Sequence, residues 1–273
     1  MLGPGLVGAY LGAAGGATRV YAGPSGSITS RRAALPAGIR EWQPQIGTRP
    51  LSTGMPLLVA CRAHQTPWRD LPADCLVAQN GIGQPRSVMA CFFALDLDND
   101  GVVRAVGPPP RVVLADPGPD WTTILARWRE SGITVELSAD PRPAQWEKAI
   151  LNATVGPLCL ATGSGMAAVW NDPGQRSLVL RATTEGAAIA SACGIAIPVG
   201  IEQRATDFFS QVGAHRPSVL RDRGELPWIL GHLRNEAARH RIISEALDEI
   251  AHLVATRAVD SRDRRPHVVG GEG

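Results

Sequence analysis

The stretch MLGPGLVGAYLGAAGG, residues 1–16, places glycines at positions 3, 5 and 8 directly ahead of helix-like apolar spacing. The pattern is G-x-G-x-x-G followed by a helix, which is typical of dinucleotide-binding domains. The first two glycines permit a tight turn and a close approach of the backbone to a pyrophosphate, and the third permits close packing of helix and strand. The helix N-terminus attracts the phosphates. The candidate cofactor contacts here are Gly3, Gly5, Leu6, Val7 and Gly8.

The context of this motif is incomplete in one respect. A strand at the centre of the sheet should precede it, and Met1 and Leu2 are the residues present for that purpose. We therefore expect either a start several residues upstream or a compromised domain. Pro4 also removes one backbone N–H donor near the phosphates.

Composition narrows the class of protein. A net charge of +2 over 273 residues does not indicate a nucleic-acid or membrane partner. No apolar run approaches the length of a membrane span and no signal peptide is evident, which predicts a cytoplasmic protein, as a monomer or homodimer. The five cysteines show no CxxC and no Cys/His metal spacing, so no metal is expected.

The segment TRVYAG, residues 18–23, predicts the second strand of the sheet. A domain specific for NAD usually places an acid at the end of this strand, for the ribose hydroxyls. Here the chain continues as GPSGSITSRR, without an acid. Ser25, Arg31 and Arg32 are suited to a 2′-phosphate, which favours NADP, although solvated loop arginines fit the pattern equally well.

Strand and helix patterns divide the chain into two parts. PLLVACRAHQ (56–65) and CLVAQNGIG (75–83) predict short strands that end in polar residues, and extended segments follow over 88–117. A helix is predicted over 121–132 and a strand at ITVEL. The Pro-rich segment 138–145 is the predicted boundary, and helical periodicity then covers 145–161, 174–194, 202–212 and 227–257.

We therefore predict an α/β protein with two domains. Residues 1–140 form a Rossmann-type NADP-binding domain, whose first strand is truncated, and residues 141–258 form an all-α domain for substrate binding and dimerisation. Residues 259–273 are expected to be a disordered tail.

Lys148 is the single lysine of the chain, and the other 26 basic residues are arginines. Unlike Arg, a desolvated Lys can release a proton near neutral pH. Asn152 lies four residues later, so the two side chains share one helix face. Together they could hold a carbonyl oxygen and a neighbouring hydroxyl, although a surface Lys and a helix-end Asn fit the spacing as well.

Several stretches, in order, resemble the ketopantoate reductase (2-dehydropantoate 2-reductase) family. They are GPGLVGAYLG, ACRAHQT, VAQNGIG, GVVRAVGP, WEKAILNATVGPLCLATG and HRPSVLRD, from residue 1 to about 222. The resemblance implies a Rossmann domain, a helical domain and an active site between them. The implied reaction is NADPH-dependent reduction of a 2-oxo acid to a 2-hydroxy acid, with ketopantoate as the first candidate and pantothenate biosynthesis as the pathway.

The resemblance also implies roles for particular residues. Lys148 matches the family's catalytic lysine, which donates a proton to the keto oxygen. Asn152 matches a substrate contact, and Asn80 the residue at the junction of cofactor and substrate. Ser218 matches a serine that binds the substrate carboxylate.

Two further positions match cofactor contacts. Arg62 stands where the family usually has a lysine that helps to bind NADPH, and Gln65 matches a nearby contact.

The sequence departs from the family at several positions. The usual Arg after the second strand falls near Pro24, Gly156 replaces a common Asn, and Ser164 lies near the usual Asn-Gly. The acid expected after Ser218 is not clear, since Glu225 comes several residues early. These changes favour a different, more apolar 2-oxo acid as substrate.

Two other functions remain open at this stage. A 3-hydroxy-acid dehydrogenase shares the two domains and the Lys/Asn pair, but QNG and HRPSVLRD argue against it. A degenerate, non-catalytic NADP-binding homologue fits the truncated strand and the altered pocket. For the other polar residues, the default expectations are a structural His64, a surface His215 and a solvated Glu185.

Overall fold

In the computed structural model, residues 1–3, 5–21, 29–47, 55–84 and 88–263 are described. Met1 to Gly3 lie at the centre of a parallel arrangement of short strands. Leu2 bridges β1 (Arg19–Tyr21) on one side and β5 (Leu58–Val59) on the other. Its N–H donates to the Leu58 carbonyl and its carbonyl accepts from Ala60, both at 2.7 Å. The few residues before the glycine motif thus occupy the position of the expected central strand.

The remaining strands of this layer extend outward from that centre. β4 (Gln45–Gly47) pairs in parallel with β1, and β6 (Leu76–Val77) pairs in parallel with β5. Parallel strands place their carboxyl ends along one edge, where ligands of open α/β sheets bind. The predicted strands at 18–23, 56–65 and 75–83 are confirmed, each shorter than its apolar run.

A second sheet lies beside the first. Its strand order is β3-β2-β8-β7, and β9 pairs in parallel with the C-terminal end of β8, at Arg111 to Leu114. Its members are β2 (Arg32–Leu35), β3 (Gly38–Glu41), β7 (Ala90–Leu97), β8 (Val102–Leu114) and β9 (Thr134–Leu137). The β2–β3 hairpin was not predicted, because its four-residue strands are too short to show a period.

Helix α1 (Leu6–Gly15) packs between these strands and α2 (Thr122–Glu130). Its interior face is buried throughout, and Trp128 of α2 donates its indole N–H to the Leu11 carbonyl at 3.0 Å. The predicted helix over 121–132 and the strand ITVEL are both confirmed. The N-terminal half is therefore mixed α/β, as expected.

The C-terminal half is helical. Its helices are α3 (Arg142–Thr162), α4 (Met166–Asn171), α5 (Pro173–Ala192), α6 (Ile201–Gln211), α7 (Leu230–His240) and α8 (Glu245–Asp263). α3 contributes Ile150, Leu151 and Leu158 to one apolar core shared with its neighbours.

The helix predicted over 227–257 is wrong as a single element. A 3₁₀ segment covers Arg223–Trp228, and α7 ends where Arg241 adopts a positive φ of 57°. Glu185 then caps the next helix, because its two carboxylate oxygens accept from the N–H groups of Ala246 and Leu247. The solvated role expected for Glu185 is corrected accordingly.

α8 continues to Asp263, so helix extends into the segment expected to be a disordered tail. Residues 264–273 lie outside the described residues. None of the helices in the described part of the chain has the length and apolar character that a bilayer crossing requires.

Candidate active site

The glycine motif forms an open helix N-terminus. Gly3 has a φ of +86°, and a Cβ added there would lie 2.2 Å from the Cys61 nitrogen. A Cβ on Gly8 would lie 2.1 Å from the Gly3 carbonyl oxygen, whereas one on Gly5 would meet no atom within 4 Å. Packing therefore requires glycine at positions 3 and 8, whereas Gly5 leaves clear space in front of α1.

That space is a cavity of about 690 Å³. Gly5, Leu6 and Val7 line it, and α1 has neither a side-chain cap nor an acid in its first turn. Uncapped N–H groups at a helix N-terminus bind phosphate. Three arginines, Arg62 among them, also line the cavity, so the residues present fit a dinucleotide.

A smaller cavity of about 110 Å³ lies next to it. The two cavities share Leu6, Val7, Asn80, Cys91, Ser218 and Arg221 as lining residues. The small cavity is closed mainly by the helical half, through α3, α6 and the segment before α7. The site therefore lies between the two halves of the chain, where the resemblance placed it.

Lys148 reaches the small cavity from α3. Its side chain is 8% exposed, and its Nζ lies 5.2 Å from the centroid of the Phe208 ring. Burial lowers the pKa of Lys148 from 10.5 to about 8, although nearby Cys91 opposes the shift. Within the described residues no carboxylate pairs with it. The lysine is thus a desolvated ammonium whose proton is released more readily than usual.

Asn80, Asn152 and Ser218 are joined by hydrogen bonds across the two halves. Asn152 donates its side-chain N–H to Asn80 Oδ1 at 2.8 Å, and Asn80 Nδ2 donates to Ser218 Oγ at 3.4 Å. All three line the small cavity with Lys148. The four residues that the resemblance assigned to substrate therefore converge, although they are far apart in sequence.

Glu225 completes this chain of hydrogen bonds. Ser218 donates its hydroxyl proton to the Glu225 carboxylate in a short hydrogen bond, and Glu225 is 8% exposed. The sequence analysis left the acid partner of Ser218 unassigned, because Glu225 comes several residues before the position at which the family pattern places the acid. The 3₁₀ segment Arg223–Trp228 accounts for the contact, since it turns the chain back toward Ser218.

Arg62 links the two halves at the mouth of the larger cavity. Its guanidinium forms an ion pair with Asp222 and lies 3.9 Å from Glu225. His64 Nε2 lies 3.2 Å from the same Asp222 carboxylate, so His64 faces this cluster rather than the core. A bound phosphate near Arg62 would compete with these carboxylates for the guanidinium.

His215 and Asp96 form a pair that sequence reasoning missed. His215 Nδ1 lies 2.8 Å from Asp96 Oδ1, and His215 is 8% exposed, which corrects the expected surface position. Desolvation lowers the pKa of His215, and the Asp96 charge partly opposes it. His215 lines the small cavity and Asp96 the larger one. Asp96 gave no signal in sequence because it lies near the end of β7, just before a turn that contains other acids.

Other predicted cofactor contacts lie away from the cavities. Gln65 is exposed and lines neither cavity. Arg32 lies 3.2 Å from Glu41 in an ion pair, and Arg31 is exposed. Ser25 and Pro24 lie outside the described residues.

Apolar side chains line most of the small cavity, among them Phe93, Val155, Met166 and Ile229. A Cβ added to Gly156 would meet only Val219 at 3.4 Å and Pro217 at 3.9 Å. This position therefore adds open, apolar space where the family commonly has Asn. Ser164 does not line the cavity.

Comparison with known proteins shows similarity to ketopantoate reductases. The family described as Ketopantoate reductase PanE/ApbA C terminal matches residues 140–258. A 2-dehydropantoate 2-reductase of Halobacterium salinarum is 27% identical over 292 aligned positions, which cover 92% of this chain and 96% of that protein. One of Mesorhizobium japonicum is 30% identical over 146 residues, and there the match spans 52% of this chain and 44% of the relative.

Solved structures share the fold over nearly the whole chain. A 2-dehydropantoate 2-reductase from Methylococcus capsulatus has a TM-score of 0.73 at 18% identity, covering 97% of each chain. A D-mandelate dehydrogenase solved with NADH and anilino(oxo)acetate has a TM-score of 0.75 at 18% identity, covering 96% of this chain and 100% of that one. The chain is therefore similar to ketopantoate reductases in three respects: a family match over residues 140–258, a relative of 27% identity over 92% of the chain, and a shared fold.

Proposed function

We propose that this chain is an NADPH-dependent reductase that converts a 2-oxo acid to a 2-hydroxy acid. The observation that carries the proposal is the buried Lys148 ammonium, which faces a small cavity directly beside the open N-terminus of α1. The first candidate substrate is 2-dehydropantoate, or a related acid with a more apolar side chain.

The chemistry of ketone reduction matches this lysine. As the C=O bond is reduced, negative charge develops on oxygen, and an ammonium at that oxygen stabilises the transition state. The same ammonium can then transfer its proton, and a pKa of about 8 makes it a far better acid near neutral pH than an ordinary lysine. An arginine at this position would stabilise the charge without transferring a proton.

The hydrogen-bonded chain supplies orientation. Asn152 and Asn80 present amide groups to the cavity, and Ser218 presents a hydroxyl held by Glu225. These groups suit a carboxylate and a neighbouring hydroxyl, while Arg221 on the cavity wall favours an anion. The apolar walls exclude water from the carbonyl and accept the rest of the side chain.

A nicotinamide dinucleotide bound in the larger cavity would supply the hydride. Gly5, Leu6 and Val7 would contact its pyrophosphate, and Arg62 would contact a phosphate after release from Asp222. The preference for NADP rests on the absence of an acid in the sequence that follows β1.

Turnover with a set of substrates tests the proposal. Purified protein is incubated with NADPH or NADH and with ketopantoate, pyruvate, 2-oxoisovalerate or phenylglyoxylate, and dinucleotide oxidation is followed. We expect turnover with at least one 2-oxo acid, faster with NADPH, and lost in Lys148→Ala. Binding of NADPH without any turnover would support the non-catalytic homologue instead, and oxidation of 3-hydroxy acids alone would support the dehydrogenase alternative.

A further inference from the structure

A cluster of metal-binding side chains lies on the helical half, away from both cavities. Cys193 is the residue directly after α5, and Glu236 and His240 lie on α7. Residues four apart on a helix share one face, so Glu236 and His240 project together, with His232 one turn earlier. None of the four lines either cavity of the active site.

The donor atoms of three of these residues converge on one point. Cys193 Sγ lies 3.6 Å from Glu236 Oε2, and His240 Nε2 lies 3.6 Å from the same oxygen. All three donor atoms lie within 4.8 Å of one another. Ligands of a tetrahedral Zn²⁺, bonded at roughly 2.0–2.3 Å, lie about 3.3–3.8 Å apart. Both separations from Glu236 Oε2 fall within this range, and the separation of Cys193 from His240 is at most 4.8 Å.

The two oxygens of Glu236 have separate partners. Oε1 faces His232 Nε2 at 3.8 Å and Arg239 Nη1 at 3.8 Å, whereas Oε2 faces Cys193 and His240. The contacts of Oε1 with His232 and Arg239 orient the carboxylate. Oε2 is then directed at the Cys193 thiol and the His240 imidazole. A partner that fixes the orientation of a ligand is a regular feature of metal sites.

We propose that Cys193, Glu236 and His240 bind one Zn²⁺-class divalent ion, with water in the fourth position. A thiolate, a carboxylate and an imidazole match the borderline softness of Zn²⁺ and balance its two charges. On binding, the Cys193 thiol releases its proton to solvent. The ion connects the end of α5 to α7, the helix that follows the Ile229 wall of the small cavity. No local spacing pattern indicates this site, because Cys193 and Glu236 are 43 residues apart.

Cobalt binding to the full chain tests this site directly. Co²⁺ bound by a thiolate gives a ligand-to-metal charge-transfer band, whereas Co²⁺ on oxygen and nitrogen donors does not. We expect one Co²⁺ per chain, with that band, and its loss when Zn²⁺ is added. Cys193→Ser abolishes the band, and His240→Ala weakens Zn²⁺ binding more than tenfold in a chelator competition. His232→Ala, which removes only an orienting contact, weakens it by about tenfold.

The matched control is His252→Ala on α8, where the imidazole is exposed and lies outside the cluster. This variant is expected to keep the wild-type spectrum and affinity. Absence of a charge-transfer band in the wild-type protein would overturn the proposal, and that result needs no variant to fold. A band that persists in Cys193→Ser would overturn it as well, because another cysteine would then hold the ion.

Discussion

Replacing Lys148 with methionine is expected to abolish activity and to stabilise the fold. Methionine has a similar length and no charge, so it fills the same space beside Phe208. Burial lowers the pKa of Lys148 from 10.5 to about 8, and a shift of that size corresponds to a cost of about 3 kcal/mol for holding the ammonium in the folded chain. Lys148→Met removes that cost at neutral pH.

The gain in stability should depend on pH in a defined way. Below pH 8 the lysine is charged in both folded and unfolded chains, so the full cost is present in the wild type. Between pH 8 and 10.5 the folded chain loses the proton first and the cost declines; above 10.5 both states are neutral. The variant should therefore unfold up to roughly 8 °C above the wild type at pH 7 and at nearly the same temperature at pH 10.5.

The activity assay supplies the other half of the prediction. NADPH oxidation with the best 2-oxo acid should fall by at least about 100-fold in the variant, the usual contribution of a general acid. In the wild type, the reduction rate should decline as pH rises through about 8, because Lys148 then loses the proton it donates.

Arg176→Met is the matched control, since it removes an exposed positive charge from α5. It should change neither activity nor the pH dependence of unfolding. The reasoning about Lys148 would be refuted if Lys148→Met kept more than about a tenth of the activity. It would also be refuted if the variant were less stable than the wild type by the same amount at both pH values.

Three further predictions follow from contacts in the structure. Gly5→Ala should fold normally but bind NADPH at least tenfold more weakly by fluorescence titration, because its methyl group enters the open space before α1. Gly8→Ala should instead lower the melting temperature, because its Cβ collides with the Gly3 backbone. His215→Ala should raise KM by about tenfold, roughly 1.4 kcal/mol, because the unpaired Asp96 carboxylate then repels an anionic substrate. In steady-state kinetics the double variant with Asp96→Ala should recover the wild-type KM, and a KM that stays raised would contradict this reasoning. Glu185→Ala should cost about 1–2 kcal/mol in thermal or urea unfolding because α8 loses two N–H acceptors, and an unchanged midpoint would show that water replaces them.

Local patterns were sufficient for much of the architecture. The glycine motif ahead of α1 and the helical periodicity after residue 140 predicted an α/β half followed by a helical half, because both signals depend on residues close in sequence. Where the local signal was weak, the prediction was incomplete: the short β2–β3 hairpin was missed, and α7 and α8 were merged across Arg241.

The candidate site shows the same division. Helix spacing alone places Lys148 and Asn152 on one face. The resemblance of several stretches to the ketopantoate reductase family indicated Asn80 and Ser218. The contacts of Glu225 with Ser218 and of Asp96 with His215 could not be foreseen, because they depend on how a 3₁₀ segment and a strand pack against other elements.

By itself the sequence determined the element types, the glycine motif and the unusual single lysine, since each depends on side-chain chemistry and short spacing. Only the tertiary structure decided that Lys148 is desolvated, and that Cys193 lies beside Glu236 across 43 residues of chain. Burial and long-range proximity arise from the packing of whole helices and sheets. The pKa of the lysine and the geometry of a metal site are therefore properties of the folded chain and not of any local pattern.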